Sequence, residues 1–192
     1  ALEDGLLAMG GDLSTERLIK AYQEGIFPWF EGETPLWWSH KPRFVIYPAN
    51  LKVSTTMKQV FKRQEFEFKT NTAFDQVIAN CKKIKRSGQQ GTWITRDVEK
   101  AYNILHQLGI AHCAEAWKGG TLVGGLYGIK MGKLFFGESM FSNQSNASKF
   151  AFISYVKQLE AEGIVLIDCQ VYTEHLESLG AEMIDRDLFK KL

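Results

Sequence analysis

Four stretches of this chain carry side chains that could do chemistry. In Phe135-Phe-Gly-Glu-Ser-Met-Phe-Ser, the carboxylate of Glu138 interrupts an apolar run, with Ser139 beside it. At a strand end such a group could meet a cationic substrate or accept hydrogen bonds from loop amides, and the residues alone leave both readings open. In Leu166-Ile-Asp-Cys-Gln-Val, Asp168 and Gln170 alternate within a run of the buried-strand type, so they share one face and Cys169 takes the other. Polar groups closing such a run are costly unless paired; they mark a buried hydrogen-bond network or a site at the strand's end. Cys169 as a nucleophile would need a base, and His175 is the nearest candidate. The third stretch is aromatic: Phe27, Trp29, Phe30, Trp37 and Trp38 fall close together, and Trp93 follows Gly91-Thr92. They could clamp a base or an apolar side chain by stacking, or form a satellite core. The fourth is basic. From Lys52 to Arg86 there are nine Lys/Arg against three Asp/Glu, leaving the remainder acidic. Lys58, Lys62 and Arg63 share one expected helix, and Lys82, Lys83, Lys85 and Arg86 follow another, which suits phosphate contact or a solvated surface equally.

Other chemistries lose ground on composition. Cys81, Cys113 and Cys169 form no C-x-x-C pair, and the four histidines have no ligand spacing, so neither a metal site nor a disulfide framework is expected. With 45% hydrophobic and 23% charged residues, the chain reads as globular. Its apolar runs are too short to span a bilayer, and the acidic start does not resemble a secretory signal. A cytoplasmic, monomeric protein without a membrane partner is the expectation.

These groups must be positioned by elements that the patterning also predicts. A helix follows Ser14 and stops at Gly25, after which Pro-punctuated loops and short strands hold the aromatics. Helices over 55–62 and 73–83 flank a strand over 66–69. Thr95 caps a helix whose apolar face is Val98, Ala101, Tyr102, Leu105 and Leu108. From 111 to 136, strands broken at Lys118-Gly-Gly and Met131-Gly predict an antiparallel meander, with Gly124, Gly125 and Gly128 as a bulge, a packing site or a ligand approach. Ser145 or Asn146 caps a long helix to 161, and Ile164-Val-Leu-Ile-Asp follows as a crossover strand. A short helix over 173–178 and a final strand and helix end the chain. The class is α+β, a mixed α/β fold: an aromatic-rich small domain over 1–50 and a catalytic domain over 51–192, with segment 52–86 assignable to either.

Read together, Gly5-Leu-Leu-Ala-Met-Gly-Gly-Asp-Leu-Ser, Gly25-Ile-Phe-Pro-Trp-Phe, Leu36-Trp-Trp-Ser, Gly91-Thr-Trp-Ile-Thr, Phe136-Gly-Glu-Ser-Met-Phe-Ser, Asn146-Ala-Ser-Lys, Ile167-Asp-Cys-Gln and His175-Leu-Glu-Ser-Leu-Gly-Ala resemble, in identity and order, the leucyl/phenylalanyl-tRNA-protein transferase family. The resemblance implies a GNAT-like N-acyltransferase domain behind a small N-terminal α+β domain. It implies an enzyme that moves Leu or Phe, and in the widest reading Met, from aminoacyl-tRNA to proteins beginning with Arg or Lys, marking them for degradation, with no cofactor. It makes Asp168, Gln170 and Glu138 the polar catalytic set and the basic segment a tRNA contact. Trp29 and Trp93 become aromatics at the aminoacyl-adenosine end, and Met140, Phe141 and Ser139 residues of the substrate pocket. Thr173 departs from the Asn that the family often carries.

An aminoacyl ester is activated, so positioning should dominate its conversion to an amide. The expected roles are Asp168 orienting Gln170, which polarises the amine, and Glu138 attracting the basic side chain. Two alternatives remain: an acetyl-CoA-dependent N-acetyltransferase, against which no Q/R-x-x-G-x-G/A loop stands before the Asn146 helix, and a non-catalytic RNA- or peptide-binding module, which would give Asp168 and Gln170 no task.

Overall fold

The computed structural model describes residues 5–84 and 92–191. A small antiparallel sheet, in the order β1-β3-β2, consists of β1 (Leu6–Met9), β2 (Phe27–Pro28) and β3 (Leu36–Trp38), with α1 (Thr15–Gln23) between its first two strands in sequence. The second sheet has seven strands in the order β10-β4-β9-β8-β7-β6-β5. These are β4 (Arg43–Ile46), β5 (Glu67–Thr70), β6 (Ala111–Lys118), β7 (Thr121–Met131), β8 (Leu134–Ser142), β9 (Leu166–Gln170) and β10 (Glu182–Ile184). The helices are α2 (Thr55–Lys62), α3 (Phe74–Lys83), α4 (Arg96–Gln107), α5 (Ala147–Ala161), α6 (Glu174–Glu177) and α7 (Arg186–Phe189). The mixed α/β class expected from the sequence is the class observed.

Local chemistry accounts for most of the boundaries. Gly119 and Gly120, at φ 56° and 75°, make the doubly left-handed turn that joins β6 to β7 without splaying them. Thr95 caps α4 by accepting from the Val98 amide at 3.3 Å. α3 begins at Ala73, which has no side chain to cap it; the buried carboxylate of Glu115 on β6 accepts from the Thr72 and Ala73 amides at 2.7 and 2.9 Å instead. The cap expected at Asn146 or Ser145 is different. Asn146 stands at the N-cap of α5 in the left-handed region, φ 67°, with no capping hydrogen bond, and the Ser142 hydroxyl accepts from the Ser148 amide at 3.2 Å.

β1 and β4 had no counterpart in the sequence reading. β4 is flanked by Pro42 and Pro48 and is only four residues long, too short for period-two alternation to stand out. It pairs with both β9 and β10, so the larger sheet draws one strand from before residue 50.

The helices cover both faces of this sheet. One apolar layer joins Leu18 and Tyr22 of α1, Val77 and Ile78 of α3, and Val98, Tyr102 and Leu105 of α4. The other joins Met57 and Val60 of α2 to Phe150, Ile153, Val156 and Leu159 of α5. α5 is apolar around most of its circumference because it lies between the sheet and α2. A Cβ at Gly124 would come within 2.6 Å of Ala147 Cβ, so this glycine lets α5 seat directly on β7.

Candidate active site

Every neighbouring pair in the larger sheet is antiparallel except β8–β9, which the α5 crossover makes parallel. That pairing runs only from Leu134↔Leu166 to Phe136↔Asp168. β8 then continues to Ser142 on β7 alone, and β9 stops at Gln170, so the sheet opens between them. Two irregularities aim side chains into the opening. Tyr127 and Gly128 face Ser139 and Gly137, which leaves Glu138 as the extra residue of a bulge on β8. Gln170 ends β9 at φ 64°, a left-handed conformation that is uncommon outside glycine.

Glu138 is 8% exposed. Its Oε1 accepts from the Tyr22 hydroxyl at 2.7 Å and from Gln170 Nε2 at 2.9 Å, while among the described residues Oε2 accepts from the Tyr102 hydroxyl at 3.4 Å. The two tyrosine hydroxyls are also hydrogen-bonded to each other. Burial pushes the Glu138 carboxyl up to about 8, with the nearby Asp168 charge adding to the rise and the three donors opposing it. The same burial, beside that carboxylate, holds both phenols well above the usual tyrosine range.

Asp168 is enclosed differently. Its side chain has no exposed surface, and Arg43 of β4 grips it with two bonds, Nε to Oδ1 at 2.9 Å and Nη2 to Oδ2 at 2.5 Å. Oδ1 also accepts from the Gln170 amide at 2.9 Å, which braces the left-handed residue. The Arg43 guanidinium lies between the rings of Phe27 and Phe189, 4.8 and 4.7 Å from their centroids. Removing either member of a buried ion pair of this kind would leave the other's charge buried without its partner.

Two cavities meet at the opening, with Glu138, Gln170 and Val171 in the walls of both. The smaller, about 130 Å³, is lined by Phe27, Pro28, Trp29 and Trp93 besides. The larger, about 310 Å³, runs toward α5 and α6 along Leu126, Met140, Phe152, Ile167 and Leu176, with Ser139 also in its wall. The structure thus brings together Asp168, Gln170, Glu138, Ser139, Met140, Trp29 and Trp93. Phe141 it places elsewhere: alternation along β8 sends its ring into the layer under α3, close to Val77, away from both cavities. Cys169 and His175 both line the larger cavity, but burial drives the Cys169 thiol up and the His175 imidazole down, which removes the thiolate that a nucleophile needs. Thr173 caps α6, accepting from the Leu176 amide at 3.2 Å.

Sequence reasoning missed Arg43, and it read Tyr22 and Tyr102 only as apolar-face residues of α1 and α4. A signal existed for Arg43: a carboxylate buried at Asp168 requires a cation, and Arg43 opens the apolar run of β4.

The basic segment is divided. Lys58, Lys62 and Arg63 are exposed on α2, on the α5 side of the sheet. Lys83 is exposed on α3, on the opposite side, where Lys82 is paired with Glu99 at 2.9 Å. Lys85 and Arg86 lie outside the described residues. Among the described residues no His, Cys, Asp and Glu group suits a metal ion, and no helix is long and apolar enough to cross a membrane.

Residues 45–192 match the family model described as leucyl/phenylalanyl-tRNA protein transferase, and residues 11–39 match the N-terminal domain of the same family. A leucyl/phenylalanyl-tRNA–protein transferase of Christiangramia forsetii is 55% identical over 192 residues, covering 98% of this chain and 91% of the relative. One of Syntrophus aciditrophicus is 51% identical over 193 residues, covering 100% and 81%. Among solved structures, a conserved protein of unknown function from Staphylococcus epidermidis shares the fold with a TM-score of 0.52 at 10% identity, covering 94% of this chain and 68% of its own.

Proposed function

This chain belongs to the leucyl/phenylalanyl-tRNA protein transferase family, and from that premise we propose that it moves Leu or Phe from aminoacyl-tRNA to the N-terminal amine of proteins beginning with Arg or Lys, which marks them for degradation. The observation that carries the reading is the meeting of a small aromatic-walled cavity and a larger apolar one at the polar pair Glu138 and Gln170. The apolar cavity suits a Leu or Phe side chain, with Met140 on its wall. Trp29 and Trp93 suit the adenosine that carries the aminoacyl ester. The ester carbonyl then lies where the two cavities join, beside the Gln170 side-chain amide, with Asp168 holding the Gln170 backbone N–H and Glu138 receiving its Nε2.

The acceptor is an α-amine with a pKa of about 7.7–8.0, so a useful neutral fraction exists near neutral pH and holding it against the ester supplies much of the rate. Lys58, Lys62 and Arg63 offer one exposed face for tRNA phosphates, and Lys83 a second. We place the protein in the cytoplasm, as a monomer, where charged tRNA and new N-termini are found.

The test uses labelled leucyl-tRNA with two peptides, one beginning with a free Arg and one identical but N-acetylated. Label is expected only on the free-amine peptide. Binding of both ligands without transfer would sink the reading, and thermal stabilisation by acetyl-CoA would favour the N-acetyltransferase alternative.

A further inference from the structure

We infer that Glu138 is the group that takes the proton from the incoming amine, and that Asp168, held by Arg43, is a positioning residue that acts through Gln170 and takes no proton itself. The inference rests on the transfer proposed above and concerns which of two neighbouring carboxylates does the proton work.

The geometry separates them. Asp168 belongs to the wall of the larger cavity, but its side chain is fully enclosed: Oδ1 receives Arg43 Nε and the Gln170 backbone N–H, and Oδ2 receives Arg43 Nη2. A base must come within hydrogen-bond reach of the proton it abstracts, and here the Arg43 guanidinium already occupies both carboxylate oxygens of an enclosed side chain. What Asp168 does hold is the left-handed Gln170, and so the direction of the Gln170 amide. Glu138 lines the cavity between Trp29 and Trp93, whose volume of about 130 Å³ is well above the ~10–15 Å³ that one water-sized group requires. Its Oε1 is occupied by Tyr22 and Gln170, which fix the carboxylate plane. Its Oε2 keeps acceptor capacity, since its hydrogen bond is the long one to Tyr102.

The step balances without a further reagent. The neutral amine attacks the ester carbonyl carbon, and a C–N bond forms. The proton on nitrogen passes to Glu138 Oε2, and the tetrahedral centre collapses with cleavage of the carbon–oxygen bond to the ribose. Glu138 returns the proton to the ribose oxygen, leaving an amide, a tRNA with a free hydroxyl and the starting carboxylate. The charged and titratable groups that face Glu138 are Tyr22 from α1, Tyr102 from α4 and Asp168 from β9, the last paired with Arg43 of β4. Burial holds the carboxyl at about 8, matched to the ~7.7–8.0 of an α-amine, so the transfer runs between nearly equal partners.

The experiment measures kcat/KM for Leu transfer to the Arg peptide between pH 6 and 9. In the wild type both the amine and Glu138 must lose a proton, so log kcat/KM should rise with a slope approaching two below about pH 7. Glu138→Gln should fall at least 100-fold with KM little changed, and its slope should drop to one. A slope still near two, or a rate within threefold of wild type, overturns the assignment. If Glu138→Gln does not fold, Tyr22→Phe serves in its place: losing a donor to the carboxylate should move the acid limb to higher pH, and an unmoved limb overturns the assignment. Asp168→Asn should lose about 100-fold, and Arg43→Met added to it should recover at least tenfold, because the unpaired buried cation is then gone. A folded double variant no faster than Asp168→Asn would make Asp168 itself the base. No transfer by the wild type would remove the underlying reaction, an outcome distinct from a failed variant.

Discussion

Asp168 and Glu138 sit on adjacent strands at one opening, and both are buried, yet their surroundings differ in kind. Asp168 has a full cation, Arg43, locked between two phenyl rings. Among the described residues Glu138 has neutral donors, two phenols and one amide. Depth of burial therefore does not decide what a carboxylate is for; the charge of its partners does. The ion pair makes a rigid strut, and the neutral cage leaves a carboxyl whose proton can come and go near neutral pH.

The largest test of this contrast is to leave each carboxylate's partners alone and remove the carboxylate. Asp168→Ala strands a fully buried guanidinium and should cost about 3–5 kcal/mol in urea unfolding. A loss under ~1 kcal/mol would mean that the pair is not a strut.

The second test reads stability against pH. The folded Glu138 carboxyl, at about 8, lies above its ordinary value of 4.5, so the fold favours the protonated form. The stability this contributes is fully present below about 4.5 and is lost as pH rises through about 8. Between pH 6 and 9 the wild-type Tm should fall by roughly 5–10 °C more than that of Glu138→Gln. Parallel curves for the two proteins would place Glu138 among charged, fully compensated groups.

Smaller effects separate the members of each cage. Phe189→Leu removes one of the two rings on Arg43 and should destabilise by about 1–2 kcal/mol while leaving the pH–rate profile in place. A moved profile would mean that the strut tunes Glu138 directly. Smallest is Tyr102→Phe. Its bond to Oε2 is 3.4 Å against 2.7 Å for Tyr22 to Oε1, so its shift of the acid limb should be less than half that of Tyr22→Phe. The reverse order would make Tyr102, through its bond to the Tyr22 hydroxyl, the principal donor.

The residues by themselves determined a good deal. Gly119-Gly120 dictated a hairpin, Thr95 a helix start, and the Val98 to Leu105 spacing a buried helical face, because each depends on φ/ψ limits or periodicity within a few residues. The order of motifs pointed to the family, and alternation put Asp168 and Gln170 on one face. Alternation along β8 also places Phe141 in the core, whereas the family resemblance implied a pocket wall for it. What periodicity cannot carry is the partner across the fold. Arg43 meets Asp168 over 125 positions and Tyr22 meets Glu138 over 116, and such pairs exist only once β4 enters the larger sheet and α1 closes over β8. The same holds for the basic segment, contiguous in sequence but split between two faces of the sheet by the strand between its helices. A sequence specifies the need to pair a buried charge; only the tertiary structure brings the partner within 3 Å, and thereby decides which carboxylate is a strut and which is left free to exchange its proton.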